Sequence, residues 1–143
     1  MSTEKQIAVI GGGSWATAIV KMLTNNVETL LWWMRNEEAV QHIKETQHNR
    51  RYLSGARINT NLVEVSSDLK AICDQADVII LAVPSAFLHA TLSALEIDLS
   101  KKVFFSAIKG IIPEHNQIVG EYIQNEYKVP LNQIGVITGP CLL

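Results

Sequence analysis

Three consecutive glycines, Gly11, Gly12 and Gly13, stand between an apolar β-branched run and an amphipathic stretch, and they continue into Ser14-Trp15-Ala16. Read as G-x-G-x-x-A, the spacing gives roles to Gly11, Gly13 and Ala16. Gly11 permits a tight turn after a strand, Gly13 lets a diphosphate approach the backbone without a side chain in the way, and small Ala16 allows the next helix to pack closely on that strand. The helix amino terminus then faces the negative charge. A glycine turn that only reverses the chain is the bland alternative. The position between strand and helix, with a βαβ unit following, favours a dinucleotide, and Gly12 adds nothing because the fingerprint does not need a glycine there.

In such a unit, an acid at the end of the second strand holds the adenosine ribose hydroxyls of NAD, whereas an arginine accommodates the extra phosphate of NADP. Here that strand ends Trp32-Trp33-Met34-Arg35, with Glu28 at its wrong end and Glu37 inside the next helix. Arg35, whose planar fork pairs with phosphate oxygens, therefore favours NADP over NAD. The missing acid also counts against a glycine-rich methyltransferase.

Other groups carry less. His42, His48, His89 and His115 show neither His-x-His nor His-Glu-x-x-His spacing, so no metal is expected. Ser85 and Ser106 lack a Gly-x-Ser-x-Gly elbow and read as polar residues at strand edges, lining the crevice. Trp32 and Trp33 fall on opposite faces of a strand, where sheet packing accounts for both. Phe87 is placed equally well beside a nicotinamide ring or in the core. Cys73 and Cys141 form no Cys-x-x-Cys pair and read as free thiols.

The elements that must position these residues follow from the hydrophobic pattern. Six apolar runs read as strands: Gln6–Ile10, Thr29–Trp33, a weak Leu62–Val65, Asp77–Val83, Lys102–Ala107 and Ile134–Thr138. Amphipathic stretches at about Ser14–Asn25, Glu37–Glu45, Ser67–Gln75, Ser85–Leu95 and Glu114–Tyr127 read as helices. Ser66 or Ser67 is the expected cap of the third helix, with Asp68 favouring its positive end, and Gly120 weakens the last. The alternation predicts an α/β, doubly wound Rossmann-type domain over residues 1–143, with a mostly parallel six-stranded sheet and helices on both faces.

Composition agrees. With 48% hydrophobic and 18% charged residues over 143, the chain buries a core and is no disordered segment. A net charge of −2 offers no basic excess for nucleic acid. No apolar run reaches the roughly 20 residues of a membrane span, and Met1–Gln6 leads into too short a run, without a basic leader, for a signal peptide. The expected location is cytoplasmic.

Residues 11 to 18, Gly-Gly-Gly-Ser-Trp-Ala-Thr-Ala, resemble the opening of the NAD(P)-dependent glycerol-3-phosphate dehydrogenases, especially the bacterial form. Leu31-Trp32-Trp33-Met34-Arg35, Asn49-Arg50-Arg51-Tyr52-Leu53-Ser54-Gly55, Ala82-Val83-Pro84-Ser85, Ser106-Ala107-Ile108-Lys109-Gly110-Ile111 and Ile137-Thr138-Gly139-Pro140 continue the likeness in order along the chain. The resemblance implies interconversion of dihydroxyacetone phosphate and sn-glycerol 3-phosphate by hydride transfer with NADPH or NADH, feeding phospholipid synthesis. It implies that Ser14, Trp15, Arg35 and Tyr52 contact the cofactor, that Lys109 lies near both nicotinamide and substrate as the catalytic residue, and that Gly139 touches the substrate through its backbone. Cys141, in the small-residue position after Gly139-Pro140, joins the cofactor set. On physical grounds a lysine past a strand's carboxyl edge faces the ligand crevice, where its ammonium steadies a phosphate or developing alkoxide. Without the resemblance, a solvated surface lysine is the simpler reading.

Two departures stand out. Members of that family continue into a helical second domain that supplies another lysine as proton acceptor, which this chain is expected to lack; Leu142-Leu143 also match nothing in the family pattern. The expectation is an amino-terminal domain that binds cofactor without turnover, from a whole protein that is a homodimer. The alternatives are a free-standing NAD(P)-binding module that senses redox state, and a two-domain dehydrogenase for another hydroxy acid.

Overall fold

Successive side chains of a strand point to opposite faces, so a strand buried on both sides must be apolar throughout. In β1 (Ile7–Ile10), Ala8 and Ile10 enter one apolar cluster and Val9 the other. β2 (Leu30–Trp33) repeats the rule: Leu31 and Trp33 face one way, Leu30 and Trp32 the other, and all four are buried. The computed structural model describes residues 5–49, 57–108, 111–112 and 117–137.

The remaining elements are α1 (Ser14–Leu23), α2 (Glu37–Thr46), β3 (Val63–Ser66), α3 (Leu69–Gln75), β4 (Val78–Leu81), α4 (Ser85–Ser93), β5 (Val103–Ser106), β6 (Ile111–Ile112), β7 (Gln117–Ile118), α5 (Val119–Tyr127) and β8 (Ile134–Val136), the last preceded by a 3-10 turn, Leu131–Gln133. Six strands form one sheet in the order β3-β2-β1-β4-β5-β8, with every pairing parallel. This is the doubly wound architecture expected, with its order reversing between β1 and β4. Residues of α1 and α2 complete the cluster around Trp32, and those of α3, α4 and α5 complete the one around Phe104. No helix among the described residues is long and apolar enough to cross a membrane.

Local differences from expectation have local causes. The third helix is capped by Asp68, whose carboxylate accepts from the Ala71 amide at 3.1 Å; Ser66 instead accepts from the Asp68 amide, one step before the helix. An aspartate is at least as good a cap as serine, and here it stands one residue nearer the first helical turn. The first helix stops at Leu23, and the Asn25 and Asn26 amides are taken up by Met22 and Leu23 carbonyls in the turn that follows. The last helix starts at Val119; residues 113–116 lie outside the described set, and the two-residue antiparallel pair β6–β7 is too short to leave a periodic signal.

Candidate functional site

The carboxyl ends of β1 and β4 lie side by side, and the turns leaving them meet. Gly11 has φ of +136°, and a Cβ on it would lie 2.5 Å from the Ala82 carbonyl oxygen. Only glycine tolerates both conditions. At Gly13, the residue before α1, a Cβ would meet nothing within 4 Å, leaving an open face at the helix amino terminus. Gly12 is closer packed than the fingerprint requires, since a Cβ there would come within 3.2 Å of the Met34 side chain.

Each carbonyl of the glycine turn is held by a side chain. The Trp32 indole donates to the Gly11 oxygen at 2.6 Å, Asn49 Nδ2 donates to the Gly12 oxygen at 3.1 Å, and the Thr17 hydroxyl donates to the Gly13 oxygen at 2.7 Å. Asn49 Nδ2 also donates to Thr17 Oγ1 at 3.0 Å. Trp32, which sequence reasoning assigned only to packing, thus also supports the turn. Asn49 was visible only as the first residue of a longer motif; nothing in its type or spacing marks a contact with Gly12.

A cleft of about 310 Å³ opens over this turn, lined by Gly11 to Gly13, by Trp33, Met34 and Arg35 at the end of β2, by the start of α2, and by Val83, Pro84 and Phe87 beyond β4. That volume is in the range of small-molecule sites. Arg35 is exposed on the cleft wall, where its guanidinium can meet an anion. Asn36 caps α2 by accepting from the Glu38 and Ala39 amides at 2.8 and 3.3 Å. Glu38, not singled out from sequence, lines the same cleft. Glu37 turns instead to Ser67 and Gln41, whose hydrogen bonds hold its carboxyl below the usual glutamate range, with Lys44 contributing.

The expected site residues divide three ways. Gly11, Gly13 and Arg35 line the cleft. Ser14, Trp15 and Ala16 form the first turn of α1 beside it: Ser14 is exposed, Trp15 packs partly buried on the Trp32 cluster, and Ala16 is buried there as close helix packing requires. Tyr52, Lys109, Gly139 and Cys141 lie outside the described residues. Phe87 resolves to the cleft side, half exposed on α4. Ser106 is buried and accepts from the Ile108 amide, and Ser85 is the first residue of α4.

The residues present fit a dinucleotide: the open face of Gly13 gives a diphosphate room against the helix amino terminus, and Arg35 waits at the end of the second strand where the ribose edge falls. Residues 6–142 match the family described as NAD-dependent glycerol-3-phosphate dehydrogenase N-terminus. The chain is 37% identical over 142 residues to a glycerol-3-phosphate dehydrogenase (NAD(P)+) of Pseudomonas syringae pv. syringae, covering 99% of this chain and 41% of that protein. Among solved structures it resembles glycerol-3-phosphate dehydrogenases from Coxiella burnetii, with a TM-score of 0.79 and 25% identity over 97% of this chain and 42% of that one, and from Plasmodium falciparum, with 0.82 and 26% over 96% and 41%. The chain spans about two fifths of the length of the curated relatives it matches, 41% in the first of them.

Proposed function

The chain belongs to the NAD-dependent glycerol-3-phosphate dehydrogenase amino-terminal family, and on that premise we propose that it binds NADPH in preference to NADH and serves the reduction of dihydroxyacetone phosphate to sn-glycerol 3-phosphate. The observation that carries the reading is the glycine turn at the β1/β4 crevice, closed at Gly11 and open at Gly13. The cofactor, when bound, supplies a hydride to the carbonyl carbon, and a proton completes the alcohol.

This chain's own residues bind and orient. Gly13 and the first turn of α1, including Ser14, receive the diphosphate; Trp15 and Tyr52 flank the nucleotide; Arg35 pairs with the 2′-phosphate of NADPH. Cys141 completes the cofactor set. Lys109, three residues after the end of β5, carries its ammonium to the substrate phosphate or to the alkoxide that develops as hydride arrives, and the Gly139 backbone touches the substrate. Cytoplasmic residence and homodimeric assembly of the whole protein belong to the same proposal.

Glu38 favours a second reading of the ribose edge, in which its carboxylate accepts from unphosphorylated hydroxyls and NAD is preferred. Parallel calorimetric titrations with NADPH and NADH separate the two. The expected result is tighter NADPH binding that falls about tenfold or more in Arg35→Ala, while NADH changes less than about twofold, since a charge-assisted phosphate contact is worth roughly 1.5–3 kcal/mol. Equal affinities untouched by Arg35→Ala would assign the ribose to Glu38, and no binding of either would end the dinucleotide reading.

A further inference from the structure

Resting on the dinucleotide reading, we propose that Trp32, Asn49 and Thr17 are positioning residues for the diphosphate, which fix the glycine turn with its amides presented before any ligand arrives. Three elements converge on one turn: Trp32 comes from β2, Thr17 from α1, and Asn49 from the chain just beyond α2. Trp32 and Asn49 satisfy the carbonyls of Gly11 and Gly12, and the Thr17 hydroxyl adds a second bond to the Gly13 oxygen, which also accepts from the Thr17 amide at 2.9 Å. A planar trans peptide sets its N–H opposite its C=O, and no peptide among the described residues is cis. Holding those three oxygens on the protein side therefore turns the amides of Gly12, Gly13 and Ser14 the other way, toward the side on which the three glycines line the cleft.

The donor count fixes the directions. The Asn49 amide has two hydrogens, one for the Gly12 oxygen and one for Thr17 Oγ1; the Thr17 hydroxyl, having accepted from Asn49, gives its own hydrogen to the Gly13 oxygen. Trp32 and Thr17 are fully buried and Asn49 is 4% exposed, so water does not compete for these bonds. A turn of three glycines has more backbone freedom to lose than any other tripeptide, and ordering it at the moment of binding would weaken affinity. The three side chains remove that cost beforehand. Trp32 and Thr17 stand behind the turn, off the cleft lining; Asn49 reaches the lining, with both of its amide hydrogens committed to the turn.

The test uses ADP and adenosine, which differ only in the diphosphate, titrated calorimetrically into the purified chain and into Asn49→Ala and Trp32→Phe, with thermal unfolding of each. The expected result is that ADP weakens about tenfold in each variant, the effect of leaving one buried carbonyl unpaired, while adenosine changes less than about twofold. A purely structural role would lower the unfolding midpoint and weaken both ligands by one factor; that outcome, or unchanged ADP affinity, overturns the proposal. If Asn49→Ala does not fold, Trp32→Phe, which keeps an aromatic ring in the cluster and loses the N–H, decides. Wild-type chain that binds neither ADP nor NADPH overturns the dinucleotide reading and this inference with it, whereas NADPH binding with unaltered ADP affinity in the variants overturns this inference alone.

Discussion

At Gly11 an added methyl would meet the Ala82 carbonyl in a backbone conformation that alanine resists, whereas at Gly13 it would meet nothing within 4 Å. Gly11→Ala is therefore expected to destabilise the fold by at least about 2 kcal/mol in urea unfolding, from strain at positive φ plus the clash. Gly13→Ala should cost about 1 kcal/mol or less, the difference between glycine and alanine at a helix cap, yet weaken NADPH about tenfold or more because its methyl fills the diphosphate's place. Both glycines and their separate duties were legible as a motif; the clash that makes Gly11 irreplaceable was not, because only the neighbouring turn supplies it. Cys73 is a second residue whose behaviour depends on its surroundings. It is fully buried, and burial pushes its thiol from 9.0 up to about 12, against the opposing charge of Lys102. The unfolded thiol ionises first, so this group's contribution to stability is complete below about pH 9 and is lost as pH rises from there toward about 12. Stability measured by urea unfolding should accordingly fall less steeply above that pH in Cys73→Ala than in the parent chain, and the native thiol should resist alkylation at about pH 8.

Among the elements, α3 shows how far local chemistry reads. A capping group ahead of Leu69 was evident, but the expected Ser66 or Ser67 is not the one that accepts from the helix; that depends on where the backbone turns, and the chain uses Asp68. Asp68→Ala should cost about 1 kcal/mol in thermal or urea unfolding. Because no residue of α3 lines the cleft, NADPH affinity should stay at the parent value in the same variant. The strands β1, β2 and β4 were legible because burial on both faces demands unbroken apolar runs, a pattern nothing polar interrupts. β3 was weaker for the reason that Glu64 stands exposed between buried Val63 and Val65 on the sheet's edge. α2 was clear from its amphipathic spacing, yet that spacing did not reveal that Glu38 would stand in the cleft wall.

For the whole molecule, the parallel order β3-β2-β1-β4-β5-β8 brings Gly11 and Ala82 together and places Arg35 and Phe87 on one cleft. The described cleft holds the groups for a nucleotide, while the chain covers 41% of the first curated relative. The 143-residue chain is thus expected to bind NADPH in a calorimetric titration. By itself the sequence determined the fold class, the helix and strand order and the glycine turn, because those depend on hydrophobic period and on residue types a few positions apart. Tertiary structure alone decided what surrounds the turn. The Gly11 contact with Ala82 and the Trp32 and Asn49 bonds to glycine carbonyls join residues whose meeting is set by strand order and packing, and neither leaves a periodic trace in the chain.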